Sequence, residues 1–335
     1  MSEIIPKPKS YFKVPPNLLD YDKTYRHFSW VDYKSEIAWS AKGGLNAAYC
    51  AVDRNAQNFR KNKIALYWEG AEDQKEKYTF AELSLLSAKF GNVLKNLGVE
   101  RGDRVFIFLP RVPALFISFL GTLKIGAIAG TLFSAFGPQA LADRLGQSGA
   151  KVLITNEELK PRVDKIRRRL PNLEKILVVG DDWEKEMAEA SPVLKVAQME
   201  PEEPAFMLYT SGTTGKPKGV VHTHRAILQE HLTAKWVLDL REDDIYWCTA
   251  DPGWVTGIAY EILGSWSNGA STLVYEGRFD PAKWYRLIQD YKVTVWYTAP
   301  TAIRMLEASG DDLVKKYDLS SLRHLCSVGE PLNPG

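Results

Sequence analysis

The chain has 335 residues, of which 45% are hydrophobic and 25% are charged, and this is an ordinary globular composition with enough length for a large core. Its formal net charge of +2 gives no reason to expect nucleic acid or an anionic membrane as a partner. The three cysteines, Cys50, Cys248 and Cys326, lie far apart, which fits a reducing compartment. No cationic start followed by an apolar segment is visible, so we expect no secretory signal and predict a cytoplasmic protein.

The composition changes near residue 74. Residues 1–74 are rich in aromatic side chains and show few strand signals, whereas later residues alternate regularly between strand-like and helix-like patterns. The charged segment Ala71–Lys77 is typical of a turn or linker. We therefore expect an N-terminal segment of residues 1–74 and a larger unit of residues 75–335.

Two early elements of the larger unit have distinct signals. Tyr78–Lys95 is predicted to be a helix, with Thr79 as its N-cap and Glu82 three residues later completing a capping box. The apolar stretch Ala114–Phe133 has the length of a membrane span, but Lys124 lies in its middle, where a charge costs about 2.5–3.5 kcal/mol. This stretch is therefore predicted to be a buried helix followed by a short buried strand.

The remaining elements alternate along the chain. The predicted strands are Arg104–Leu109, Lys151–Thr155, Lys175–Gly180, Ala205–Tyr209, Ile245–Thr249, Ser271–Tyr275, Val293–Tyr297 and His324–Val328. The predicted helices are Lys160–Leu170, Ala226–Leu238, Ala259–Trp266, Asp280–Tyr291 and one that begins near Ala299. This alternation predicts an α/β fold with mostly parallel sheets flanked by helices, in which ligands bind beyond the carboxyl ends of the strands.

Four unusual polar segments follow predicted strands: TSGTTGKPKG, DPGWVTG, TAPTA and GEPLNP. Because parallel strands end at one edge of a sheet, these segments are predicted to form a single site. The alternative is four unrelated turns, since Gly and Pro interrupt any α/β protein.

The first of these segments has the chemistry of a phosphate site. Glycines allow close approach of backbone N–H groups to an anion, while hydroxyls and lysines add donors and positive charge. These residues are Thr210, Ser211, Gly212, Thr213, Thr214, Gly215, Lys216, Lys218 and Gly219. The spacing does not fit the P-loop template GxxxxGK[ST], which disfavours a Walker-type kinase or ATPase. The alternative is a surface loop whose lysines are simply solvated.

At this point the chain resembles a known family. YTSGTTGKPKG resembles the phosphate-loop signature of the adenylate-forming enzymes, which include acyl-CoA synthetases, luciferases and peptide-synthetase adenylation domains. The segments DPGWVTG, YTAPTAIRML, SVGEPLNP and YRHFSWVDYKSEIAW resemble the AMP-forming acetyl-CoA synthetases in particular. The resemblance extends from about Tyr25 to Gly335.

The resemblance implies the large N-terminal domain of that family and a two-step reaction. A carboxylate attacks the α-phosphorus of ATP to give an acyl-adenylate and pyrophosphate, and the thiol of coenzyme A then displaces AMP. ATP, Mg²⁺ bound through ATP, and coenzyme A are implied, with a short acid such as acetate as the substrate. No nucleic acid or membrane partner is expected.

The resemblance also implies roles for particular residues. The ATP phosphates would contact Thr210, Ser211, Gly212, Thr213, Thr214 and Gly215, with Lys216 and Lys218 as the catalytic cations. The adenine would contact Gly329, Glu330 and Pro331. The acyl pocket would be formed by Trp254, Val255, Thr256 and Val328. Coenzyme A would contact Thr256, Asn268, Ala135 and Arg162.

Some of these positions have a structural alternative. Arg162 lies in a basic run that is also typical of a solvated helix face, and Trp254 could be ordinary core packing in a chain with ten tryptophans. Ile258 stands where the family usually has histidine. His222 and His224 lack further ligands at zinc spacing, so no protein-bound metal is predicted.

The sequence ends at GEPLNPG, before the family's magnesium-linked glutamate, hinge and mobile C-terminal domain. We therefore expect a fragment or a truncated product that makes little or no acyl-CoA alone. Two other functions stay open: a non-catalytic nucleotide-binding module, and a ligase for longer or aromatic acids on the same fold.

Overall fold

The computed structural model describes residues 14–40, 44–210 and 215–332. In these residues twelve strands form two six-stranded sheets. The strands are β1 (Ile64–Glu69), β2 (Lys75–Thr79), β3 (Arg104–Ile107), β4 (Ile128–Thr131), β5 (Val152–Asn156), β6 (Lys175–Val179), β7 (Pro204–Thr210), β8 (Lys218–Thr223), β9 (Ile245–Cys248), β10 (Ser271–Tyr275), β11 (Val295–Thr298) and β12 (His324–Ser327). One sheet, here the β3 sheet, has the order β6-β5-β3-β4-β7-β8, and the other, the β9 sheet, has the order β12-β11-β9-β10-β1-β2.

Helices connect the strands and cover the sheets. The α-helices are α1 (Tyr21–His27), α2 (Arg54–Ala56), α3 (Phe80–Asn96), α4 (Pro113–Lys124), α5 (Pro138–Ser148), α6 (Lys160–Asp164), α7 (Asp182–Glu189), α8 (Ala226–Trp236), α9 (Ser265–Ser267), α10 (Pro281–Tyr291), α11 (Pro300–Glu307) and α12 (Asp311–Val314). Trp30–Ile37 and Arg167–Arg169 form 3₁₀-helices, and Tyr49–Asp53 and Gly257–Gly264 form π-helices.

The predicted α/β fold with mostly parallel sheets is confirmed. Each sheet is parallel except for an antiparallel hairpin at one edge, β1–β2 in the β9 sheet and β7–β8 in the β3 sheet. Three of the four strands in these hairpins, β1, β2 and β8, were missed by the sequence analysis. β2 lies largely within the predicted linker and is mostly exposed, and its charged residues give no sequence pattern typical of a strand. β1 (IALYWE) is apolar and mostly buried but lies in the N-terminal segment in which no strand was predicted, and β8 (KGVVHT) is mostly exposed and directly follows the glycine-containing segment.

The large core lies between the two sheets around α3 and α4. The predicted capping box is confirmed: Thr79 is the N-cap of α3 and its hydroxyl accepts from the Glu82 N–H at 3.1 Å. Every residue of α4 is buried, as expected for the apolar stretch. Lys124, at its end, donates to the Asp53 carboxylate at 2.7 Å and to the Ser84 carbonyl at 2.9 Å. The charge in the apolar stretch is thus paired inside the core.

Other predictions differ from the structure in detail. The basic helix predicted over Lys160–Leu170 is α6 followed by a separate 3₁₀ turn, and the helices α5 and α7 were not predicted. The helix predicted over Ala259–Trp266 begins earlier and is a π-helix for most of its length. In the part of the chain that the structure describes, no helix is long and apolar enough to cross a membrane.

Candidate functional site

The TSGTTGKPKG segment connects the two strands of a hairpin. Thr210 is the last residue of β7 and pairs with Lys218, the first residue of β8. Gly215 has φ of +85°, a conformation that glycine adopts without strain. Lys216 and Lys218 are exposed to solvent. The predicted phosphate contacts Ser211, Gly212, Thr213 and Thr214 lie outside the described residues. The sequence analysis predicted a strand and then a loop into a helix, so the return strand β8 is a correction: the segment is a hairpin connection.

The loop after β4 lies at the same edge of the β3 sheet. β4 runs parallel to β7, pairing Ala129 with Phe206, so both strands end at this edge. Ala135 lies in this loop, between β4 and α5. The Arg162 guanidinium donates to the carbonyls of Ser134 at 2.7 Å and Phe136 at 3.3 Å, on either side of Ala135. Arg162 and Ala135 are therefore brought together, and Arg162 is not a purely solvated side chain.

The DPGWVTG segment packs directly on this loop. The Thr131 hydroxyl donates to the Pro252 carbonyl at 2.5 Å. Gly253 approaches the backbone of Phe133 so closely that an added Cβ would lie 2.6 Å from its N and Cα atoms. The rings of Phe133 and Trp254 have centroids 6.1 Å apart. The ends of β4 and β9, which belong to different sheets, meet here.

The side chains assigned to the acyl pocket are only partly buried. Trp254 and Val255 are each 46% exposed, so Trp254 is not an ordinary core tryptophan. Thr256 is the residue that precedes the π-helix Gly257–Gly264. Val328 packs against a buried cluster that includes Tyr246 and Tyr297.

The GEPLNP and TAPTA segments are linked to the same edge of the β9 sheet. The hydroxyls of Thr249 and Thr298, at the ends of β9 and β11, are 2.6 Å apart. The Glu330 carboxylate accepts from the N–H of Thr301 at 2.9 Å and from its hydroxyl, and these bonds lower the pKa of Glu330. Arg304 donates to the Pro331 carbonyl at 3.0 Å. Glu330 and Pro331 are thus held by Thr301 and Arg304 of α11, and Gly329 directly precedes them in the chain.

Asn268 does not lie with the other predicted residues. Its amide donates to the carbonyls of His231 at 3.0 Å and Gly264 at 2.8 Å. Thr256 and Asn268 are at opposite ends of one continuous helical segment, roughly 15–18 Å apart at about 1.5 Å per residue. Asn268 instead borders a separate open pocket of about 420 Å³ whose lining includes Arg54 and Arg60. The structure does not bring it to the edge where Thr256 and Ala135 lie.

Two half-buried charged residues, Asp251 and Arg111, lie at the start of the DPGWVTG segment and beside it. Burial raises the pKa of Asp251, an effect that Arg111 partly opposes. One Asp251 carboxylate oxygen accepts from the Gly253 N–H at 2.7 Å. Arg111, in the loop after β3, donates to the Thr249 carbonyl at 3.2 Å, and its own carbonyl accepts from the Trp68 indole at 2.8 Å. Arg111 therefore ties the two sheets together beside the site.

Several residues that build this edge were missed by the sequence analysis. Phe133 lies in an apolar stretch that was read only as core, and Arg111 and Thr131 stand in no recognisable motif. Their roles depend on contacts between strands that are distant in sequence. Of the described residues, no group of three or more His, Cys, Asp or Glu side chains is placed to hold a metal ion.

Comparison with known proteins shows which family and which enzymes this chain is similar to. Residues 52–335 match the model of the family described as AMP-binding enzyme. The chain is 51% identical over 330 residues to the acetyl-coenzyme A synthetase of Bacillus subtilis, covering 95% of this chain and 57% of that protein. It is 43% identical over 326 residues to the acetyl-coenzyme A synthetase of Rubrobacter xylanophilus, covering 89% and 51%.

A solved structure agrees with the sequence relatives. The crystal structure of a Brucella canis acyl-CoA synthetase superposes with a TM-score of 0.86 at 32% identity, covering 93% of this chain and 58% of that one. The chain thus spans between half and three fifths of the length of these relatives. On the match over residues 52–335, together with the fold, the chain belongs to the family of AMP-binding enzymes.

Proposed function

We propose that this chain is the ATP- and acyl-binding part of an AMP-forming acetate–CoA ligase. The 51% identity to the Bacillus subtilis acetyl-coenzyme A synthetase carries the proposal, because it runs through 95% of this chain. The meeting of the hairpin edge, the loop after β4 and the DPGWVTG segment supports it. The reaction would join acetate or another short acid to coenzyme A, with ATP converted to AMP and pyrophosphate.

The chemistry of the first step is dominated by negative charge. An anionic carboxylate must approach a polyphosphate while the leaving pyrophosphate gains charge, and preorganised donors and cations are the expected solution. In our proposal Thr210, Gly215 and the segment between them hold the phosphates, and Lys216 and Lys218 neutralise the developing charge. The exposure of both lysines at the sheet edge supports this role. Mg²⁺ would arrive bound to the ATP phosphates.

The other substrates would bind along the same edge. Gly329, Glu330 and Pro331 would contact the adenine, and Trp254, Val255, Thr256 and Val328 would surround the acyl group. Coenzyme A would pass Ala135 and Thr256, and the hydrogen bonds from Arg162 to the carbonyls beside Ala135 support a shared subsite. Because Asn268 lies far from Thr256, we propose that these two residues contact different parts of the long coenzyme A molecule.

The acid specificity is part of the proposal. Bulky walls favour a small acyl group, but each methylene changes the barrier by only about 1–3 kcal/mol, so acetate would not be wholly separated from propionate. A panel of short, long and aromatic acids tests this with the full-length protein. Acetate-dependent exchange of pyrophosphate into ATP would support a ligase. ATP binding without any acid-dependent exchange would indicate a nucleotide-binding module instead.

Nucleotide binding by the 335-residue chain tests the phosphate loop directly. Calorimetry should show tighter binding of ATP than of adenosine, and Lys216→Ala and Lys218→Ala should remove most of that preference. Lys185→Ala is the matched control, because Lys185 is an exposed lysine of α7 paired with Asp181. Equal affinity for ATP and adenosine in the unmodified chain would overturn the phosphate-binding proposal.

The proposed organisation of the chain divides it near residue 74. An N-terminal segment of residues 1–74 and an AMP-binding unit of residues 75–335 stay a prediction. β1 lies before this boundary and pairs with both β2 and β10 after it. We also propose a cytoplasmic protein whose partners are its small-molecule substrates.

A further inference from the structure

Glu261 is a buried carboxyl group without a hydrogen-bond partner. Glu261 is 0% exposed, and neither of its side-chain oxygens has a hydrogen-bond partner in the structure. It lies in the π-helix Gly257–Gly264, about one turn beyond Thr256. Nearly all buried polar atoms in proteins are hydrogen-bonded, and π-helices are frequent at functional sites. Both features call for an explanation at this position.

The groups around Glu261 come from several elements. From the loop after β3 comes Arg111, and from the segment after β9 comes Asp251. From β9 come the Tyr246 hydroxyl and the Cys248 thiol, which interact with each other. Two further elements contact this part of the helix. The Thr272 hydroxyl of β10 donates to the Glu261 backbone carbonyl at 3.4 Å, and α8 packs against the π-helix with its own buried carboxyl, Glu230.

Among Arg111, Asp251 and Glu261, the charges balance only when one proton is retained. Arg111 supplies one positive charge, whereas Asp251 and Glu261 would supply two negative charges if both were ionised. Burial raises the pKa of Glu261 well above its usual range, Arg111 opposes this, and Asp251 adds to it. Burial raises the pKa of Asp251 as well, and we take Glu261, the more deeply buried of the two carboxyls, as the one that retains the proton.

We propose that Glu261 is a positioning residue for the acid substrate, held as a neutral carboxyl so that the region behind Trp254–Thr256 carries no net negative charge. This inference rests on the proposed ligase function. An incoming carboxylate then meets a region in which the charges of Arg111 and Asp251 cancel. Ionising Glu261 places one uncompensated negative charge behind the acyl pocket and repels the substrate.

The size of the effect follows from Coulomb's law. If the bound carboxylate lies about 10 Å from the Glu261 carboxyl, one unit charge at an effective dielectric constant of about 20 weakens binding roughly ten- to twentyfold. This change affects the KM for acetate. It leaves the maximal rate largely unchanged, because saturating acetate still fills the pocket.

The test uses the full-length protein and acetate-dependent exchange of pyrophosphate into ATP, measured from neutral to alkaline pH. For the wild type we expect the KM for acetate to rise roughly tenfold as Glu261 ionises. Glu261→Gln cannot ionise, so its KM should stay at the neutral-pH value of the wild type. Glu230→Gln is the matched control: it removes another fully buried carboxyl, whose pKa is set by burial alone, and should keep the wild-type profile.

A second measurement does not depend on activity. The infrared difference spectrum of wild type minus Glu261→Gln at neutral pH should show the carbonyl band of one protonated carboxyl, because the bands of Glu230 and of the other carboxyls are common to both proteins and cancel. Absence of that band overturns the inference whatever the kinetics. If the band is present but the KM profiles of wild type and Glu261→Gln coincide, or if Glu230→Gln flattens the profile equally, the positioning role is refuted. If the wild type catalyses no acetate-dependent exchange, the proposed ligase function fails, and the role of Glu261 in substrate binding fails with it.

Discussion

Replacing Glu230 by glutamine should make the protein more stable, and increasingly so as pH rises. Glu230 lies on α8, is 2% exposed, and its Oε2 atom has no hydrogen-bond partner. Burial raises its pKa from 4.5 to about 8. In the unfolded chain the carboxyl loses its proton near the usual value, whereas the folded chain retains it to a much higher pH.

The sign and size of the stability change follow from this difference in the pKa of Glu230 between the folded and the unfolded chain. Because the folded pKa is raised, the contribution of Glu230 to stability is fully present below about pH 4.5 and is lost as pH rises towards about 8. One pH unit corresponds to about 1.4 kcal/mol, so about 3 kcal/mol is lost by pH 7 and about 4 kcal/mol by pH 8. Glutamine is close in shape but ionises in neither state, so Glu230→Gln should regain that free energy.

The assay is urea unfolding of both proteins at several values between about pH 5 and about pH 8. The difference in unfolding free energy should grow by about 1.4 kcal/mol per pH unit over most of this range. Glu189→Gln, at the exposed end of α7, is the control and should leave the pH profile unchanged. Parallel profiles for wild type and Glu230→Gln would refute the reasoning, since they would mean that the folded protein holds the ionised carboxylate without penalty.

Two further predictions concern the buried ion pair and the contact between the sheets. Asp53→Ala should lower the unfolding free energy by about 3–5 kcal/mol in urea titrations, because it leaves the Lys124 ammonium buried without its carboxylate; a loss below about 1 kcal/mol would contradict this. Gly253→Ala should cost about 1–3 kcal/mol and reduce acetate-dependent exchange, because its Cβ would press on the Phe133 backbone. Gly146→Ala is the control for Gly253→Ala, because an added Cβ at Gly146 would meet nothing closer than 3.9 Å. This control should be neutral or should stabilise the protein by up to about 1 kcal/mol. An equal loss of stability in both variants would refute the steric argument.

Local signals predicted most of the parallel strands and the helix starts. Thr79 with Glu82, and Asp280 before Pro281, are caps whose hydrogen bonds form within three residues, and both are present as predicted. The apolar strands in the middle of the sheets are buried on both faces, so hydrophobicity alone identified them. The edge strands β2 and β8 are largely exposed, and their strand conformation depends on the neighbouring strand rather than on their own composition.

Some residues of the candidate site could be assigned from the sequence, and others could not. The resemblance could assign Trp254, Thr256 and Arg162 because each lies in or near a short motif. It could not identify Phe133 or Arg111, whose importance comes from contacts across the two sheets. It also grouped Asn268 with Thr256, which the intervening helical segment separates.

By itself, the sequence determined that this is an α/β protein of the AMP-binding family, with its polar, glycine-containing segments at the ends of strands. These properties depend on composition, periodicity and motifs that extend over only a few residues. The tertiary structure alone decided that the ends of β4 and β9 meet, that Lys124 is paired with Asp53, and that Glu261 is buried without a partner. Burial and ion pairing depend on which distant segments pack together, and no local sequence pattern specifies these packing partners.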